Sequence, residues 1–429
     1  MGWGMRIQSN VLHADQLNQL MELVGKINSN LELDKLLLEI MNSSKKIMES
    51  EASSLFLLSD DGKELKLTVP TGRFTAEISG ITIPVDKGIS GWVVQNMEPV
   101  IIHDVQKDPR FGGEITGDSE FQTKEIACVP LINHNGEVIG ALQAINSTNG
   151  GSFSEELLPV FQTLANQAAI AIENSKLQQQ RIQNERHAKE MEVARTIQSG
   201  FWPDEEPDIE NYSIAGVSNP AESVGGDYYD YISIPNSKKW GFTVADVSGK
   251  GVPAGLLMAT LRACLRSNVE NHQDISTSIQ KANKLIFKDS PPEKFITAFY
   301  GELNPEIHTF KYVNAGHNHP YLLDSENDKI IQLEMSGIML GVDESEVFIE
   351  HYLTLAPGQK IVMFSDGIPE ALNSAGQFFS DARFEEWLIE HRNLSPREML
   401  SQLLATIKNF TEGEAQSDDI TVVILGRDQ

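Results

Sequence analysis

Two cysteines, Cys128 and Cys264, are all that 429 residues supply. One pair in so long a chain is no disulfide framework, and the two fall in segments that the patterning assigns to different domains, so a reducing compartment is expected. No Cys/His cluster shows zinc spacing. No apolar run approaches the roughly 20 residues needed to span a bilayer. Met1 to Asn10 lack a basic stretch followed by an apolar core, so a secretory signal is not expected. Basic residues are scarce as well: 34 Lys and Arg stand against 61 Asp and Glu, a formal charge of −27. A surface so negative repels phosphate backbones and anionic lipid, which argues against nucleic-acid and membrane partners. These absences together point to a soluble, cytoplasmic protein.

What is present is an ordinary globular balance, 40% apolar and 22% charged. The length suits two or three domains rather than one core. Leu17, Leu20, Val24, Ile27 and Leu31 recur at steps of three and four, a narrow apolar seam of the kind that pairs with another helix. A second amphipathic helix uses Leu36, Leu37, Ile40, Ile47 and Met48. Strand patterns follow at 52–58, 64–69, 81–85, 99–102, 126–131 and 138–145, with turn signals at Asp61-Gly62 and Asn135-Gly136. From Ser154 a helical pattern resumes through Leu157, Phe161, Leu164, Ala168, Ile172 and Leu177. A helix pair, an antiparallel sheet of five or six strands and a closing helix make one α+β domain.

That first domain, within residues 1–174, resembles a GAF domain in "LELDKLLLEIMNSSKKIMESEASSLFLLSDDGKELKL", "IPVDKGISGWVVQNMEPVIIHDVQKDPRF", "CVPLINHNGEVIGALQAIN" and "LANQAAIAIEN". The resemblance implies a small-molecule or dimerisation sensor without catalytic activity. A ligand would sit behind the long connections, 86–126. Some cyclic-nucleotide-binding members carry Asn-Lys…Phe…Asp-Glu after the hairpin. Here the residues are Asn146, Ser147, Phe153, Glu155 and Glu156, so the Lys is missing.

The closing helix is expected to run on, free of Pro and Gly, to about Gly200. Its best heptad line is Ile170, Glu173, Leu177, Gln180, Asn184, His187, Met191, Ala194 and Gln198. So polar a seam gives a weak coiled coil or a solvated spacer over 175–200. With the N-terminal seam it suggests a homodimer. Gly200, Pro203 and Pro207 then open a second domain, 201–429.

In that domain four aspartates stand at turn-like ends of apolar, β-rich segments: Asp227 in "SVGGDYYDYISI", Asp246 in "GFTVADVSGKG", Asp366 in "KIVMFSDGIPE" and Asp418 in "QSDDITVVIL". Carboxylates at neighbouring strand ends can converge on one rim, where unpaired they would repel and their pKa values would rise. Divalent cations resolve the conflict, and an all-oxygen site suits Mg²⁺ or Mn²⁺. Two such ions can activate a water for attack on phosphorus, so no Ser, Cys or His nucleophile is required. Glycines 225, 226, 249 and 251 let backbone approach closely, and Pro253 suits the first turn of a helix over 254–266.

These motifs, with "EVARTIQSGFWP", "NPAESVGGDYYDY", "VADVSGKGVPAGLLMATLRA", "YVNAGHNHP" and "SDDITVVIL", resemble the PPM (protein phosphatase 2C) family, and within it the SpoIIE-like bacterial branch. The resemblance implies an α-β-β-α sandwich and two Mn²⁺ or Mg²⁺ ions. Asp246 would bridge them, with the Val247 carbonyl at the first site and Asp366 and Asp418 at the second. Asp227 would bind metal directly or through water, and Asp419 would support the loop. It further implies a phosphoserine or phosphothreonine substrate on a STAS-domain antagonist of an anti-sigma factor. Two departures stand out: Asn219 replaces a basic residue common before Pro-Ala, and Pro369 interrupts the usual wording after Asp366-Gly367. Gly225-Gly226-Asp227 is also similar to the diguanylate cyclase signature, but Tyr228 and Tyr229 replace the pair expected there. His317 and His319 read as loop-ordering residues, and Cys128 as a buried small one. The competing reading is a PPM domain without activity that serves as a GAF-controlled binding module.

Overall fold

The helix at 33–47 opens the part of the chain that the computed structural model describes: residues 33–71, 80–111, 122–324 and 329–429. The seam from Leu17 to Leu31 lies outside the described residues. After residue 185 the chain divides into two compact units.

In the first unit α1 (Leu33–Ile47) is amphipathic, burying Leu36, Leu37, Ile40 and Met41 while leaving Leu38 exposed. Six strands follow: β1 (Ser50–Leu58), β2 (Glu64–Thr71), β3 (Thr82–Pro84), β4 (Val100–Ile102), β5 (Ile126–Ile132) and β6 (Val138–Ser147). They form one antiparallel sheet in the order β3-β2-β1-β6-β5-β4. Between β3 and β4 lies α2 (Gly88–Asn96). The closing helix α3 (Leu158–Ser199) buries Phe161, Leu164, Ala165, Ala168 and Ile172 with α1 and one set of sheet residues. A second cluster holds Ile89 and Val93 of α2 with Phe56, Leu65, Leu67 and Cys128. Cys128 is buried as expected, its thiol pushed up to about 12 by desolvation. Asn146 is a staple in this unit: its amide accepts from the Lys124 and Glu125 N–H groups and donates to Glu51 and the Gln122 carbonyl.

The second unit holds β7 (Tyr212–Asn219), β8 (Tyr228–Ser233), β9 (Trp240–Val247), α4 (Val252–Glu270), α5 (Ile275–Asp289), β10 (Ile296–Asn304), β11 (Thr309–Ala315), β12 (Tyr321–Asp324), β13 (Lys329–Gln332), β14 (His351–Thr354), β15 (Lys360–Phe364), α6 (Asp381–His391), α7 (Pro396–Phe410) and β16 (Ile420–Arg427). The strands make two five-stranded antiparallel sheets, β14-β11-β10-β9-β8 and β13-β12-β15-β16-β7. The period of two places alternate residues on opposite faces. Phe242 and Val244 of β9 join Phe299, Phe310, Tyr312, Ile361, Met363, Val423 and Leu425 in a core between the sheets. The alternate residues Ala245 and Val247 join a cluster with Met258, Leu261 and Leu265 of α4 and Ile279 of α5. Across the molecule Val422 and Ile424 share a cluster with Phe384, Leu388, Met399 and Leu403 of α6 and α7. The result is the α-β-β-α sandwich that the sequence led us to expect. Helix starts follow local chemistry: Pro253 sits in the first turn of α4, and Ser395 with Glu398 closes a capping box on α7.

Candidate active site

Antiparallel pairing sets strand ends side by side, and that is how the aspartates are gathered. Tyr228 opposes Ala245, so Asp227 before β8 faces the end of β9, where Asp246 is the penultimate residue. In the other sheet Phe364 opposes Val422, so Asp366, just past β15, adjoins Asp418, just ahead of β16.

Asp227, Asp246 and Asp366 are each shifted by burial and by a neighbouring carboxylate. Asp227 is almost completely buried, and desolvation, then the Asp246 charge, holds its carboxyl well above the usual range. Asp246 is raised to about 7 by burial and by the charges of Asp366, Asp418 and Asp419. Asp366 is raised to about 6 by burial, Glu370 and Asp418, with Lys250 opposing. Such shifts mark negative charge that Lys250 only partly offsets.

Whether the site suits a divalent cation can be tested on its own atoms. The donors are all oxygen, which hard ions prefer. Asp227 Oδ2 is buried with no hydrogen-bond partner, a costly state that a cation would relieve. A Cβ on Gly226 would lie 2.8 Å from the Val247 carbonyl oxygen, so glycine is what lets the Asp227 loop approach that carbonyl. Among the described residues no three Asp, Glu, His or Cys side chains close around one point. The carboxylates face a shared rim at charge-sensing distance rather than a formed cage, and their chemistry fits the ions.

Several neighbours fix the loops that carry these aspartates. Asp419 accepts from the backbone N–H groups of Ala221, Gly226 and Asp227 at 2.7, 2.8 and 3.3 Å, tying the Asp227 loop to β16. This is the loop-supporting place expected for it. Gly367 is pressed against the Asp419 carbonyl, where a Cβ would stand 2.0 Å from the oxygen. Ser365 donates to that same carbonyl and accepts from Thr421 N–H. His317 is buried beside Thr297, the residue opposite Asp246, with Nδ1 2.8 Å from its hydroxyl. The His317 N–H and carbonyl both bond the Asn314 amide, in keeping with a loop-ordering role. Next to the rim a cavity of about 580 Å³ is lined by His187, Met191 and Arg195 of α3, by residues 220–224 and by Gly251. One heptad assignment changes. Gln198, drawn on the seam between helices, is buried inside its own unit against Gly225.

In the first unit a cavity of about 480 Å³ is lined by residues 99–101 and by Glu155, Leu158, Pro159 and Gln162. Residues 99–101 fall within the 86–126 connection.

Comparison with known proteins fits both units. Residues 32–172 match the GAF domain family, and residues 236–428 match the family described as Stage II sporulation protein E (SpoIIE). Phosphoserine phosphatase RsbU of Bacillus subtilis (strain 168) is 28% identical over 238 residues, 56% of this chain and 70% of that protein. The dual 3′,5′-cyclic-AMP and -GMP phosphodiesterase 11A of Takifugu rubripes is 33% identical over 166 residues, 37% of this chain and 18% of that protein. The solved SiaA-PP2C domain of Pseudomonas aeruginosa covers 57% of this chain and 98% of its own, at 21% identity and a TM-score of 0.51, a likeness of fold. The chain therefore joins a GAF domain to a SpoIIE-type phosphatase domain and is a hydrolase of that class.

Proposed function

We propose that this chain is a metal-dependent serine/threonine protein phosphatase governed by its GAF domain, with residues 175–200 as the helical linker. The convergence of Asp227, Asp246, Asp366 and Asp418 on one rim carries the reading, the first three being shifted by burial and by another carboxylate. Asp246 would serve both ions, the Val247 carbonyl completing the first site and Asp366 and Asp418 holding the second, with Asp227 beside them. Two Mn²⁺ or Mg²⁺ ions bound there would supply an activated water and neutralise the phosphoryl oxygens. The chain's own part is to fix the carboxylates. Asp419 anchors the Asp227 loop, and Gly226 and Gly367 give it room.

The similarity to a phosphoserine phosphatase supports a phosphoserine or phosphothreonine substrate. We take that substrate to be a phosphorylated STAS-type antagonist of an anti-sigma factor. We further take the protein to act as a cytoplasmic homodimer, with a small molecule as the GAF ligand. Hydrolysis of p-nitrophenyl phosphate tests the chemistry. Activity should need Mn²⁺ or Mg²⁺, vanish with EDTA, and fall by at least about 100-fold in Asp246→Asn and Asp366→Asn. Full activity in metal-free buffer would sink the two-ion reading. No activity under any condition would favour the binding module.

A further inference from the structure

We infer that Gln198 is a positioning residue for the candidate metal site, an inference that rests on the metal-dependent reading above. Gln198 lies in the last turn of α3 and is 3% exposed. Its Nε2 donates to the Gly225 carbonyl at 2.7 Å, and the Gly225 N–H donates to its Oε1 at 3.0 Å. A primary amide laid against one residue's N–H and C=O in this way reproduces the two-bond pairing of a β-bridge. It leaves no freedom for that residue to rotate away.

Gly225 is two residues before Asp227, in a stretch with no regular secondary structure of its own. The loop is therefore aimed from outside, and from two directions. Gln198 holds Gly225, while the Asp419 carboxylate holds the N–H groups of Gly226 and Asp227. The fit is close. A Cβ on Gly225 would stand 2.4 Å from Asp419 Oδ2. One on Gly255 of α4 would stand 2.6 Å from Val224 Cγ1 and 3.4 Å from Gln198 Nε2. Glycine at both positions makes the space in which the clasp closes.

A buried glutamine is tolerated where its amide is satisfied, so the plain alternative is that Gln198 merely glues the end of α3 to its unit. The two roles part experimentally. Gluing predicts a loss of stability spread over the unit, whereas positioning predicts a local loss of order at Asp227 with weaker metal binding.

The test uses the full chain with Gln198→Met, which keeps length and removes both bonds, and Gln179→Met on the exposed part of the same helix as control. Amide hydrogen exchange without metal should show faster exchange confined to about residues 221–228 in Gln198→Met. Calorimetric titration should show Mn²⁺ binding weakened about tenfold or more, while Gln179→Met matches wild type in both. Unchanged exchange in the loop would overturn the inference. So would a loosened loop with unchanged Mn²⁺ affinity, or a uniform loss of protection. A wild type that binds no Mn²⁺ would bring down the metal reading itself. A wild type that binds, beside an unaltered Gln198→Met, brings down the Gln198 role alone.

Discussion

Lys250 pairs with Asp418 across the rim, Nζ to Oδ2 at 3.2 Å, and donates to the Ser417 carbonyl as well. A lysine of the Ser248-Gly249-Lys250-Gly251 turn thus puts a single positive charge beside one proposed metal ligand. An arriving dication meets that charge as a competitor. Both side chains are more than a third exposed, and exposed pairs are worth at most about 1 kcal/mol. Lys250→Met should therefore tighten Mn²⁺ binding by no more than about fivefold, read by calorimetric titration at pH 8. Weaker binding would mean that the ammonium organises the site instead of competing for it.

A second prediction concerns a charge pair behind β8. Asp230 is fully buried and takes two hydrogen bonds from Arg266, at 2.6 and 2.7 Å, with others from the Tyr228 hydroxyl and the Tyr231 N–H. Removing one partner strands the other charge in low dielectric. Arg266→Ala should lower the stability of the phosphatase unit by about 3 kcal/mol, measured by urea unfolding. A change under about 1 kcal/mol would show that water reaches the carboxylate once Arg266 is gone.

His317 sets a pH window. Burial lowers its pKa from 6.5 to about 4, so the folded protein holds it neutral where the unfolded chain would protonate it. A depressed pKa contributes stability that is present above the unfolded value and lost as pH falls through the folded one. Wild type should lose roughly 3 kcal/mol from this group between about pH 6.5 and pH 4. His317→Gln should be less stable at neutral pH yet show a shallower fall over that window in thermal melts. Parallel curves would remove His317 from the account.

The linker gives a fourth. Residues 176–190 of α3 are exposed throughout, and the heptad line across them is polar at Gln180, Asn184 and His187. Changing those three to Leu should stabilise a paired helix. If pairing relays the state of the GAF domain, phosphoprotein turnover in the triple variant should lock at one level whatever the GAF domain binds. Equal turnover in wild type, the triple variant and a fragment from Met191 onward would leave the helix a spacer.

The elements were legible where local chemistry decides them. Asp61-Gly62 and Asn135-Gly136 marked hairpins that exist, and the spacing of Leu36, Leu37 and Ile40 marked the buried face of α1. Asp227, Asp246, Asp366 and Asp418 were legible because each sits in a glycine-rich or turn-like motif at the edge of an apolar run. What escaped was set by distance along the chain. Nothing local announces that Lys250 meets Asp418, or that Ser365 and Thr421 bond each other across β15 and β16. Gln198 was misassigned for the same reason. A heptad line sees only the helix, and the partner of Gln198 lies 27 residues on.

The strand order of the second unit also bears on how the chain folds. β16 pairs with β7 from Tyr212 opposite Arg427 to Asn219 opposite Ile420, and Asp419 reaches Ala221 across 198 positions. Loop closure over such a span adds little to the equilibrium cost, since each doubling of length costs only about 0.6 kcal/mol, yet non-local pairings slow folding by orders of magnitude. Hairpins such as β10 with β11 are therefore expected to close before the β16–β7 pairing. The rim that gathers the four aspartates needs that pairing and the Asp419 bonds to the Asp227 loop, so it is expected to form after the local hairpins.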